Sequence, residues 1–244
     1  MDSSLIAILL AFAFAALSAV IALRFYWTVG RTGVRMPRAT LSSGYQILAQ
    51  QAVVLAVILA FGYFSDLNLN SLGYSSTVGP LLAFVLGLAI YGVVLVFVEV
   101  ASHFLGIRER LHDLSYETMR LIWPRNPEQK LAAFAGVCIM NPFTEEVLFR
   151  GVLVFLLGEY TGNFILAAVI GLLLSLAAHM YQGGWSIPFQ LVFHATAVLI
   201  VLSPLGLVAC IGFHFAGDLV PVMLLKKSMI EWRNRNRNRK SYVT

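Results

Sequence analysis

Apolar residues run through this chain in long blocks, not in the alternation of a half-buried strand or the one-sided stripe of a soluble helix. Polar and glycine-containing breaks separate seven such blocks, at about 5–27, 47–64, 78–107, 131–157, 164–180, 188–202 and 205–225. A membrane-crossing helix needs roughly 20 apolar residues. The pattern therefore predicts an all-α fold, a polytopic transmembrane helix bundle of about seven spans. The fourth block carries Asn141-Pro142 in its interior. Proline removes a backbone donor and clashes with the preceding turn. In lipid the freed carbonyls need protein or cavity water, so an interrupted helix bordering a cavity is expected there.

Composition supports a membrane protein. The chain is 59% hydrophobic and 12% charged, against about 25% charged in soluble domains. The placement of charge adds orientation. Arg24, Arg31, Arg35 and Arg38 follow the first block, and Arg108, Arg110, Arg120, Arg125 and Lys130 follow the third. Lys226, Lys227, Arg233, Arg235, Arg237, Arg239 and Lys240 follow the seventh. With alternating topology, all but one of the 17 Lys and Arg residues fall on a single side. The positive-inside rule makes that side cytoplasmic, which predicts an N-terminus outside and a C-terminus in the cytoplasm. The first block lacks a preceding basic flank, so it reads as a retained helix and not as a cleaved leader. No eukaryotic retention signal is visible, and a prokaryotic plasma membrane is the expected location.

Three regions follow: a three-span part with a cytoplasmic loop (1–130), a four-span core (131–225) and a basic tail (226–244). The tail "RNRNRNRK" reads as a solvated, disordered cytoplasmic segment that enforces topology and is attracted to anionic lipid. It has no aromatic platform of the kind that binds single-stranded nucleic acid, and no nucleic-acid partner is expected. Cys138 and Cys210 lie inside apolar blocks without CxxC spacing. They predict neither a disulfide framework nor a thiolate metal site.

The one basic residue off the cytoplasmic side is Arg150, in "NPFTEEVLFRG". A charge deep in a bilayer costs about 2.5–3.5 kcal/mol on insertion scales and is normally paired or functional. Glu146 and Arg150 are four apart and share a helix face in the favourable order. Glu145 lies about 100° around the helix and has Phe149 at the equivalent position. Arg150 thus answers for Glu146, and Glu145 still needs a wet cavity or a proton partner. Other buried polar groups are His179 near the end of the fifth block, and His214 and Asp218, four apart, in the seventh. Intramembrane ionisable residues usually point into the bundle and towards one another. Glu99 and His103 lie close to Arg108 and read as markers of the cytoplasmic interface. His194, nearer mid-span, reads first as a helix–helix hydrogen-bonding residue.

Together, Glu145-Glu146-x-x-x-Arg150, His179 on the next span and His214-x-x-x-Asp218 on a later one resemble the CPBP family. These are the CAAX-processing and bacteriocin-processing intramembrane glutamic endopeptidases, also called the Abi family. The resemblance covers roughly residues 131–225. It implies that Glu145 and His179 activate a water, that Glu146 and Arg150 support them, and that His214 and Asp218 stabilise the oxyanion. Two positions depart from the family's pattern. Ser175 stands where a Phe is usual, and Asp218 where Asn is common. An ionised Asp does not donate to an oxyanion, so Asp218 is either protonated or orients His214.

The resemblance implies hydrolysis of a peptide bond in a membrane-bound, lipidated or precursor protein or peptide, with the lipid bilayer as setting and without a cofactor. Two other readings use the same residues. Glu145, His179, His214 and Asp218 are all acceptable zinc ligands, although no HExxH is present. A non-catalytic immunity or adaptor protein would keep the cluster for packing or partner binding.

Overall fold

The structure is a computed structural model. It describes residues 2–25, 27, 43–64, 69–74, 77–113, 123–124, 126–182 and 186–241, with the backbone alone from 225 onward. No strand occurs among the described residues. Among the described residues, seven apolar helices stand at the seven expected places: α1 (Ser3–Phe25), α2 (Ser43–Phe64), α3 (Pro80–Phe104), α4 (Pro127–Thr161), α5 (Phe164–Ala178), α6 (Ile187–Val201) and α7 (Gly206–Ser241). Four of them contain stretches long and apolar enough to cross a membrane: Ser3–Arg24, Pro80–Phe104, Pro127–Thr161 and Gly206–Leu224. The expected basic residues Arg31, Arg35, Arg38, Arg120 and Arg125 lie outside the described residues.

Local chemistry sets the ends. Asn126 caps α4 by accepting from the Glu128 N–H at 3.0 Å, with Pro127 in the first turn. That satisfies a donor the helix cannot satisfy itself. Gly162 ends α4 in the left-handed conformation (φ 66°), and Asn163 at once caps α5 through Leu166 N–H at 2.9 Å. A short link of this kind folds α5 back on α4. Helix α5 has 15 residues, or about 22 Å at 1.5 Å per residue. A hydrocarbon core is about 30 Å thick. His179, immediately after α5, therefore stops short of the face opposite Phe164.

Two expectations are corrected. Asn141-Pro142 does not break the fourth helix. The chain runs helically from Pro127 to Thr161, through π-helical stretches at Ala135–Met140 and Val147–Leu156 on either side of Asn141–Glu146. Asn141 N–H bonds to the Gly136 carbonyl, five residues back. This wider turn gives the Pro142 ring room that a regular α-turn would deny. The basic tail is not irregular either: α7 continues through it to Ser241.

Packing is organised around α4. Helix α1 presents Ala7, Ala11 and Ala15 at four-residue spacing to Phe149, Leu153 and Leu156 of α4 and Ala167 of α5. Helix α2 lies along the first half of α4. Helices α3 and α7 pack most closely. A Cβ on Gly87 would collide with the Ala209 carbonyl, and one on Gly212 with the Phe84 carbonyl. Small residues let backbones approach in this way. Beside them Tyr91, Phe193 and Phe213 make an aromatic wall, with centroids 4.7 Å apart for Phe193–Phe213 and 5.7 Å for Tyr91–Phe213. Gly87→Ala and Gly212→Ala are each expected to destabilise by about 1–3 kcal/mol, the usual cost of overpacking. Thermal unfolding of the purified protein in detergent measures it, and an unchanged midpoint would show that α3 and α7 can separate freely.

Candidate active site

The middle of α4 carries Glu145 and Glu146 in its last α-helical turn before the second π-helical stretch. Neighbouring residues leave a helix in different directions, so the two carboxylates meet different partners. Glu146 points into the bundle and is 0% exposed. Its Oε1 lies 3.2 Å from Arg150 Nη1 and 2.7 Å from His214 Nδ1. The i,i+4 pair expected from spacing is formed, and α7 adds a second partner to the same oxygen. Unpaired burial of one such charge is expensive. Here a guanidinium and an imidazole offset it.

Glu145 points elsewhere. Its Oε2 is 3.8 Å from His179 Nε2 and 3.9 Å from His214 Nε2. These separations exceed a direct hydrogen bond and suit polar atoms that share a water. The Glu145 side chain keeps 22% of its surface. With His179, it lines a cleft whose other walls include Ser18 of α1, Gln50 and Gln51 of α2, and Tyr181. The group without an i+4 partner is thus the one that borders accessible space.

Hydrogen bonds settle ring orientations. His179 Nδ1 lies 2.8 Å from the Ser175 carbonyl. A carbonyl only accepts, so Nδ1 carries the proton, and Nε2 of the neutral ring offers a lone pair towards Glu145. Ser175, the departure from the family's aromatic position, contributes here only through its backbone. His214 is held at Nδ1 by Glu146, and its Nε2 faces both Glu145 and Asp218, the latter at 3.6 Å.

The structure brings all six expected residues, Glu145, Glu146, Arg150, His179, His214 and Asp218, into one connected cluster. It also adds residues. Thr144 Oγ1 donates to Gln51 Oε1 at 2.7 Å, Gln51 Nε2 donates to Asn141 Oδ1 at 2.8 Å, and Asn141 Nδ2 lies 3.4 Å from Asp218 Oδ2. This line fixes the Asn141 amide so that its donor end meets Asp218. Its sequence signal was Gln51, an amide within an apolar block. His194 is the other addition: Arg150 Nη2 lies 2.6 Å from its Nδ1. Glu99 stands apart from the site, paired with Arg108 Nε at 2.8 Å and His112 Nε2 at 2.7 Å. Both cysteines are buried and free. Among the described residues no group of three or more His, Cys, Asp and Glu side chains is arranged to hold a metal ion.

An apolar helix bundle that gathers carboxylates, histidines and one arginine at a small cleft has the makings of a membrane-embedded hydrolase. Residues 127–220 match the family model of Rce1-like proteins, described as type II CAAX prenyl endopeptidase Rce1-like. This is the CPBP assignment that the motifs imply, and the matched segment contains all six cluster residues. The matching family is one of proteases, which supports an intramembrane endopeptidase in general terms, and the apolar helices support an integral membrane protein. Searches of curated proteins and of solved structures find no significant match.

Proposed function

We propose that the chain is a glutamic-type intramembrane endopeptidase that cleaves a membrane-associated or lipidated protein or peptide. The observation that carries this reading is the position of Glu145 Oε2, within 3.9 Å of ring nitrogens from two histidines, one at the end of α5 and one on α7. In this mechanism a water sits between Glu145 and His179 Nε2. Glu145 removes its proton as the oxygen attacks the scissile carbonyl, and later delivers that proton to the leaving amine. General-base help of this kind gives about 10²–10⁴-fold. His214 receives the tetrahedral oxyanion at Nε2. Because Nδ1 stays on Glu146, the ring must then carry both protons. One well-placed donor contributes about 2.7–4 kcal/mol. Asp218, an acceptor, orients His214 and does not itself bind the oxyanion. Glu146 and Arg150 hold His214 from behind.

The test uses purified protein in nanodiscs and a peptide carrying a prenylated C-terminal cysteine motif, beside its unprenylated twin. Mass spectrometry should show a cut at one internal bond, faster for the lipidated peptide. Activity should persist after prolonged treatment with a strong zinc chelator. Loss on chelation, restored by added zinc, would replace the glutamic mechanism with a zinc-dependent one. Equal rates for the two peptides would remove the lipid from the substrate description.

A further inference from the structure

His194 lies on α6, a helix that carries none of the motif residues, and it is 0% exposed. Its Nδ1 is 2.6 Å from Arg150 Nη2. A guanidinium only donates, so Nδ1 accepts and a neutral ring bears its proton on Nε2. Among the described residues this is the one hydrogen bond that the Arg150 side chain makes: its Nε and Nη1 are buried without one. Glu146 contributes an ion-pair contact at 3.2 Å and accepts its short hydrogen bond from His214 Nδ1 instead. The other face of the network is touched as well, because the His194 and His179 rings lie 4.7 Å apart, centroid to centroid.

We propose that His194 is a positioning residue of the protease site, the acceptor that fixes Arg150 and, through it, the Glu146–His214 pair. The inference rests on the protease reading given above. Neutrality is the useful property. A carboxylate at this place would compete with Glu146 for the guanidinium charge, whereas an imidazole takes a hydrogen bond and leaves that charge to Glu146. The line His194–Arg150–Glu146–His214 then runs from α6 through α4 to α7. The His194 ring also backs His179, which limits how far that ring can swing from Glu145.

Two substitutions separate the acceptor from the ring. His194→Asn keeps an acceptor near the place of Nδ1 and loses the ring. His194→Phe keeps the ring and loses the acceptor. On the cleavable peptide, His194→Phe should lower kcat by about 10–100-fold with KM within about threefold, the pattern of a lost transition-state interaction. His194→Asn should recover most of that loss. Phe variants as active as wild type, or Asn variants as weak as Phe at equal folded yield, would overturn the proposal. A second measurement does not depend on activity. With ¹⁵N-histidine in nanodiscs, His194 should show the neutral Nε2–H form, and Arg150→Lys should shift its Nδ1 resonance. An Nδ1–H form would end the argument even if the variants fail to fold. Glu145→Gln, run in parallel, keeps the two readings distinct. If Glu145→Gln is inactive while His194→Phe is normal, only the positioning role fails. If Glu145→Gln stays active, the protease mechanism fails while the His194–Arg150 hydrogen bond is still read by the spectrum.

Discussion

Glu145→Gln is expected to lower proteolysis by at least about 10²-fold, with folded yield near wild type. The amide keeps the shape of the side chain but is no longer a base. The structure explains why the fold should tolerate it: Glu145 Oε2 has no hydrogen-bond partner to lose and the side chain borders a cleft. His179→Ala should be inactive to a similar degree, because its Nε2 is 3.8 Å from the same carboxylate oxygen. The double variant should be little worse than either single one, since two groups that hold one water act as a unit. Cleavage of the lipidated peptide, normalised to monodisperse protein, measures all three. If Glu145→Gln abolishes cleavage but leaves the biological phenotype intact, catalysis is not the function of this protein, and an adaptor or immunity role becomes the better account.

Arg150→Ala should act on the fold. Removing one partner of a buried pair costs about 3–5 kcal/mol, and here it exposes two dependants. Glu146 is 0% exposed and keeps only His214, while His194 Nδ1 loses its donor. A large loss of folded yield and of thermal midpoint is expected, together with loss of activity. The combination Arg150→Met with Glu146→Leu should regain much of the stability, because apolar residues of similar volume leave no buried charge unpaired. It should remain inactive, because His214 Nδ1 has then lost its acceptor. An Arg150→Ala protein as stable as wild type but inactive would move Arg150 from support into the chemistry.

The two predictions differ for a reason that the chain alone half revealed. Spacing showed that Arg150 can reach Glu146 and that Phe149 stands where Glu145 would need a partner. The stable pair and the available carboxylate were therefore legible in eleven residues. What Glu145 faces was not legible, because the two nearby nitrogens come from residues 34 and 69 positions later, one just after α5 and one on α7. Gln51 and His194 were harder still. An amide or imidazole in an apolar block has a helix–helix hydrogen bond as its ordinary explanation. Only the packing of α2 and α6 on α4 shows that the partners are Asn141 and Arg150.

The seven helices were legible because length and hydropathy govern burial in lipid, and a period-free apolar block needs no partner to be recognised. The course of α4 through Pro142 was not, because proline's local preference is to break a helix, and the wider turn that accommodates it is an arrangement of the backbone with no distinct residue signature. The contact between α3 and α7 was hidden for a similar reason: Gly87 and Gly212 are unremarkable in sequence, and their meaning lies in which carbonyl each approaches. Sequence by itself determined that this protein is an apolar helical bundle and which charged residues its interior must accommodate. The tertiary structure decided which of those charges cancel and which one is left at the cleft, because electrostatic pairing depends on distance in space, and helices far apart along the chain supply the partners.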